Sequence, residues 1–273
     1  MKILKRIILG LLAVIVIVVV AAIVYLHITY QQYPPKDNNF EVSENDVNYF
    51  NSSYDECRGA FLESTELLKD KFYIITFFKQ KFAIMTDTSL YMDFCLVPAK
   101  VNREKLIIVR SGTHGVEGFV GSAVQNMVMH ELLDTVVLDN VSVLFIHGIN
   151  PYGFKYLRRV TENNVDLNRN SDNSDDLFKN NNVAYGELDG YLNPKGNVNT
   201  GDFGNTFFYL KSIIMILKSS IATLRQAVLQ GQYEYNDGLY FGGNESEYQI
   251  NSLRSIISFY GNILTLSLTG QHL

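Results

Sequence analysis

The sequence has no tryptophan, two cysteines and only five prolines in 273 residues. Two cysteines are too few for a disulfide-stapled scaffold or a cysteine-rich zinc site. Positive charge is not in excess either: 23 Lys and Arg stand against 28 Asp and Glu, a formal net charge of −5. No basic field exists to hold a phosphate backbone, so nucleic acid is excluded as the expected partner. Charged residues make up 19% of the chain and hydrophobic ones 47%, which excludes a disordered polyelectrolyte. No internal repeat is visible. What is plentiful is aromatic, 17 Tyr and 17 Phe, and a chain of this length can bury them in a sizeable core.

One apolar run stands apart. Lys2, Lys5 and Arg6 precede an uncharged stretch from Ile7 to Leu26. About 20 apolar residues at ~1.5 Å each match the ~30 Å hydrocarbon core of a bilayer. Residues 1–30 are therefore expected to form a transmembrane anchor that meets the lipid bilayer through residues 7–29. Ala21 and Ala22 resemble a signal-peptidase site, but the run outlasts the roughly 7–15 apolar residues of a cleaved signal peptide. The basic flank keeps the N-terminus in the cytoplasm. A single-pass membrane protein with an extracytoplasmic domain is expected. Residues 31–51, polar and carrying Pro34-Pro35, read as a linker, and 52–273 as one domain.

Within the domain, Ser53 and Glu56 have capping-box spacing and open a helix to about Lys69, with Cys57, Ala60, Phe61 and Leu68 on one face. Phe72–Phe78, Leu90–Val97, Lys105–Arg110 and Val141–His147 read as strands. A helical stretch, Gly121–Leu133, separates the last two and makes a βαβ unit. Asn163–Thr206 reads as a surface excursion, with Asn180-Asn181-Asn182 in solvent. Phe207–Gln230 and Glu245–Tyr260 have helical apolar spacing, and Asn262–Leu268 reads as a last strand. The expected fold class is α/β, with a mixed, largely parallel sheet flanked by helices. Cys57 and Cys95 fall where buried free thiols are expected, although an oxidising compartment would permit a disulfide.

The chemistry concentrates at two strand ends. Ser111-Gly112-Thr113-His114-Gly115-Val116-Glu117-Gly118 follows one strand and precedes a helix, where sites on open α/β sheets collect. Imidazole and carboxylate in an H-x-x-E pair suit Zn²⁺, whose catalytic sites add a third protein ligand and an open position. The same pair also arises by chance in solvated loops. His147-Gly148-Ile149-Asn150-Pro151-Tyr152-Gly153-Phe154 marks the second strand end. Arg158-Arg159 and Asp166-Leu167-Asn168-Arg169-Asn170 follow. A guanidinium fork suits a carboxylate or steadies an oxyanion, whereas a surface ion pair is the commoner fate of a single arginine.

Taken in order, S-G-T-H-G-V-E-G, N-P-Y-G-F, R-R-V-T-E-N-N-V-D-L-N-R-N, G-Q-Y and G-L-Y-F-G-G resemble the uncharacterised bacterial branch of the zinc carboxypeptidase-like superfamily, near the succinylglutamate desuccinylase and aspartoacylase group. The resemblance runs from about Ser53 to Gly261. It implies a carboxypeptidase-like fold and zinc-dependent hydrolysis of an amide bond next to a free carboxylate. The implied substrate is a small carboxylate-bearing peptide or acyl-amino acid. His114 and Glu117 match the first two zinc-ligand positions, and Asn168 and Arg169 the positions that hold the carboxylate. Arg158 or Arg159 matches the arginine beside the oxyanion.

Departures from the pattern matter as much. The third zinc ligand of these proteins sits in a D-x-H-T-G motif at a strand end. Here Thr269-Gly270 keep the last two residues, while Leu268 stands for the histidine and Leu266 for the aspartate. The general-base glutamate would come later still. Ser171 replaces the aromatic that follows N-R-N. Among the other histidines, His27, His130, His147 and His272, only His272 lies near the missing ligand in sequence. The expectation is a domain incomplete at its C-terminus: a metallohydrolase by ancestry, impaired, or an inactive relative that binds a carboxylate or a partner.

Overall fold

The computed structural model describes residues 2–32, 47–72, 76–84, 87–101, 105–133, 135, 138–171, 174–196, 211–218 and 220–268. The chain forms two units, Met1–Val47 and Asn48–Leu273. The first holds helix α1 (Lys2–Gln32). Its stretch Ile3–Ala22 is long and apolar enough to cross a membrane, with nothing packed over it. Such a helix serves as an anchor or as a signal sequence. Most of the expected linker, residues 33–46, lies outside the described residues.

In the second unit, helix α2 (Tyr54–Lys71) begins at its capping signal. Ser53 Oγ accepts from the Glu56 N–H at 3.2 Å. The Glu56 carboxylate returns to Ser52, at 2.9 Å from its N and 2.7 Å from its Oγ, one residue earlier than a standard box. Tyr54, Cys57, Phe61 and Leu68 then form the buried stripe.

Four strands follow: β1 (Thr76–Ile84), β2 (Asp87–Val97), β3 (Lys105–Arg110) and β4 (Val141–His147), in the order β1-β2-β4-β3. The first runs on past the expected Phe78, through the polar Lys79-Gln80-Lys81 to Ile84; residues 73–75 are outside the described ones. β3 and β4 pair in parallel across helix α3 (Gly118–Met127) and a π-helical turn (Val128–Leu132), as a βαβ unit requires. The sheet as a whole is not largely parallel. β1–β2 and β2–β4 are antiparallel, since residues 85–86 leave no length for a crossover between β1 and β2.

Period-2 alternation along β2 feeds two clusters. Leu90, Met92, Phe94 and Leu96 join Leu144, Ile146 and Phe154. Cys95 and Val97 join Phe61, Val143 and Phe145. Both cysteines are free and buried. After β4 come α4 (Pro151–Lys155), 3₁₀ turns at Leu167–Arg169 and Asp175–Lys179, α5 (Val183–Leu192), α6 (Lys211–Lys218), α7 (Ile221–Gln230) and α8 (Tyr248–Leu268).

Two expectations fail here. The excursion contains α5, and Asn182 is its buried N-cap, accepting from Tyr185 N and donating to the carbonyls of Ala227 and Gly231. The last strand is the end of α8. Leu264, Leu266 and Leu268 alternate as in a strand after Gly261-Asn262, a pair that usually stops a helix, but the helix runs through it, and short apolar runs do not distinguish the two periods.

Candidate functional site

The loop after β3 is built by close approach. Gly115 N donates to the Arg158 carbonyl at 2.9 Å, and a Cβ on Gly115 would collide with the Gly153 carbonyl. Only glycine fits there. This contact ties the His114 loop to the segment after β4, and Asn150 caps α4 by accepting from Gly153 N at 2.8 Å. The two strand ends are thereby one site.

His114 is buried at its centre. Its Nδ1 lies 2.9 Å from Glu117 Oε2, and its Nε2 lies 3.1 Å from Asp166 Oδ1. The amide end of Asn168 is 3.2 Å from the same Nε2. Asp166 has no exposed surface and gathers the cations: Arg159 Nε donates to its Oδ2 at 3.1 Å, and Arg169 approaches that oxygen at 3.7 Å. Burial by itself would raise the Asp166 pKa. The His114 hydrogen bond and the charges of Arg159 and Arg169 outweigh it and hold the carboxyl below its ordinary range.

His114, Glu117, Asn168, Arg159 and Arg169 are thus brought together. Arg158 supplies its backbone to the loop while its side chain is exposed. His147 lies in the core, His130 is exposed against Ser64 and Tyr49, and His272 is outside the described residues. Asp166 was given no role from the sequence. Its signal was there, since Asp at the N-cap of a Leu167–Arg169 turn accepts from Asn168 N and so orders both the Asn and the Arg.

A neutral imidazole has one N–H. With Glu117 at Nδ1, and Asp166 and the Asn168 amide at Nε2, both ring nitrogens are engaged by protein groups. The 2.9 Å between Nδ1 and Glu117 Oε2 is ordinary hydrogen-bond length, shorter than the roughly 3.3 Å between two ligands of a tetrahedral zinc. A complete zinc site is not formed: among the described residues, no group of three His, Cys, Asp or Glu could hold a metal. Asp166 cannot be the third, because it addresses the opposite nitrogen of the same ring.

Beside this cluster is a hollow of about 390 Å³ lined by Asn168, Arg169, Ser171, Leu177, Leu229, Gln230 and Tyr233. Tyr233 Oη donates to the Arg169 carbonyl at 2.7 Å. Gly231 has φ +74°, and a Cβ there would run into the Arg169 stem. Arg169 Nε is buried with no partner.

Residues 50–266 match a family described as proteins of unknown function, DUF2817. The chain belongs to that family. The DUF2817 span takes in the His114 loop, the Arg158-to-Asn170 segment and the hollow beside Arg169. No curated protein matches the chain.

Proposed function

We propose that this chain is a membrane-anchored, zinc carboxypeptidase-like protein whose site receives the free carboxylate of a small peptide or acyl-amino acid. One observation carries the reading: Asp166 gathers His114, Asn168, Arg159 and Arg169 at the ends of two adjacent strands, next to a hollow large enough for one amino-acid-sized ligand. In this reading Arg169 and Asn168 hold the carboxylate. Arg159 takes the oxyanion side, because its side chain turns to Asp166 and that of Arg158 does not. His114 and Glu117 are the two zinc positions. Two protein donors hold zinc loosely, since loss of merely an outer hydrogen-bond partner of a ligand typically costs 10–100-fold in affinity. Hydrolysis is accordingly slow or absent.

The second reading is an inactive carboxylate-binding module. It is favoured by the engagement of both His114 ring nitrogens with protein groups.

Calorimetry with N-acetyl-L-phenylalanine and its C-terminal amide tests the shared part. The acid should bind and the amide should not, and Arg169→Ala should weaken the acid about 10–100-fold. Equal affinity for acid and amide would end the carboxylate assignment. Zinc content and turnover then separate the two readings. Near-stoichiometric zinc, with chelator-sensitive hydrolysis lost in His114→Ala, belongs to the enzyme alone.

A further inference from the structure

Helices α6 and α7 form an elbow, set at 103° to each other. Its inner side is packed: Met215 and Leu224 lie against Tyr185, Leu188 and Ala227. Its outer side carries Ile213, Ile216, Leu217, Ile221 and Leu229 exposed to solvent, Leu217 at 81%. So many exposed large apolar side chains on two short helices are uncommon on a monomeric soluble domain and point to an interaction site.

Charge says what kind. No Asp or Glu occurs between Asp202 and Glu234, in a chain where acids outnumber bases. Lys211, Lys218 and Arg225 occur there and are exposed. Isoleucine and leucine with cations and no acids match an anionic lipid surface, where the apolar groups enter the headgroup–acyl boundary and lysines meet lipid phosphates. Neither helix alone is long enough to cross, at ~1.5 Å per residue roughly 12 and 15 Å against a ~30 Å core, and the 103° bend keeps the pair from forming one straight span. They suit an orientation in the interface plane. A groove of about 520 Å³ along α7, lined by Ile221, Ala222, Arg225, Gln226, Leu229 and Gln230, offers room for part of a lipid molecule.

Lipid is also the surface closest to hand if α1 is an anchor, and the proposal rests on that reading for proximity alone. Between Gln32 and Asn48 the chain extends at most roughly 55 Å. Such a tether does not select a face, so surface chemistry does.

We propose that the elbow of α6 and α7 docks on an anionic bilayer surface. The full chain carrying Leu217→Cys, labelled with an environment-sensitive fluorophore, tests it. Cys57 and Cys95 are buried and leave the new thiol the reactive one. The chain is combined with vesicles of phosphatidylcholine alone or with about a third phosphatidylglycerol, with and without spin-labelled lipid. The label should blue-shift and be quenched by the spin-labelled lipid in anionic vesicles. It should respond several-fold less in the neutral ones, and a label at Val101→Cys should stay unchanged. Lys211→Gln with Lys218→Gln should weaken the docked state about 10–30-fold. Quenching that is equal at both labels, or absent at Leu217, overturns the proposal. So does a blue shift without quenching, which means that protein, a partner or a second copy, covers the elbow. Flotation reports on the anchor separately: a chain that fails to float alone but is quenched at Leu217 when anionic vesicles are added keeps the docking and loses the anchor.

Discussion

His147 has no exposed surface. Its ring stacks on Phe61 at 4.7 Å between centroids, Nδ1 lies 3.1 Å from Gln125 Oε1, and Nε2 is buried with no partner. Burial, with a smaller push from Arg58, lowers its pKa to about 3. The folded ring stays neutral down to that pH, while the unfolded imidazole takes up a proton below ~6.5. Stability should therefore fall as pH drops from 6.5 toward 3, by up to about 1.4 kcal/mol per pH unit, and level off below. His147→Phe keeps the stacking and removes the titration. Denaturant melts from pH 7.5 to 4 should show a flatter slope for the variant; an unchanged slope would assign the acid sensitivity elsewhere. This residue also shows what single positions reveal. His147 stands at a strand end beside the motifs, yet nothing in its neighbours along the chain says that it points into the core. Asp166 is the opposite case: its importance comes from the three side chains it collects, His114, Arg159 and Arg169, of which only Arg169 lies within three residues in sequence.

Among the elements, β3 is the exposed one. It pairs only with β4 among the described residues, and Ile107 and Ile108 are both open to solvent. Val116, Val120 and Val124 are exposed on the loop and helix that follow. An apolar edge strand invites pairing with other chains, tempered here by Lys105 and Arg110 at its two ends. Ile107→Lys should raise soluble yield and slow light-scattering growth on warming, while changing stability by no more than about 0.5 kcal/mol. Unchanged aggregation would place the hazard elsewhere. The βαβ unit and the start of α2 were legible, because a strand–helix–strand run and a capping pair are local signals. The β2–β4 antiparallel pairing was not, since it is set by contacts far apart in sequence, and the β1–β2 hairpin was missed because β1 runs past Phe78 through polar residues. The end of α8 was missed because Gly261-Asn262 read as a helix stop and the alternating leucines after it as a strand, whereas the helix continues through them.

For the whole molecule the apolar start decides the address. A retained anchor predicts that the chain, at its full 31.0 kDa, stays with membranes after alkaline carbonate washing and that protease added to intact cells reaches the domain. A shortened, soluble product with a new N-terminus near Ala22 would make α1 a signal sequence instead.

Leu229 and Gln230 line both the hollow beside Arg169 and the groove along α7. With that groove resting on lipid, the mouth of the proposed carboxylate site would open at the waterline of the leaflet. A ligand would then arrive by sliding sideways in two dimensions, and occupancy would track its mole fraction among the lipids more than its concentration in the surrounding fluid. Fatty acylated amino acids, which concentrate in that layer, would outcompete free peptides of equal intrinsic fit.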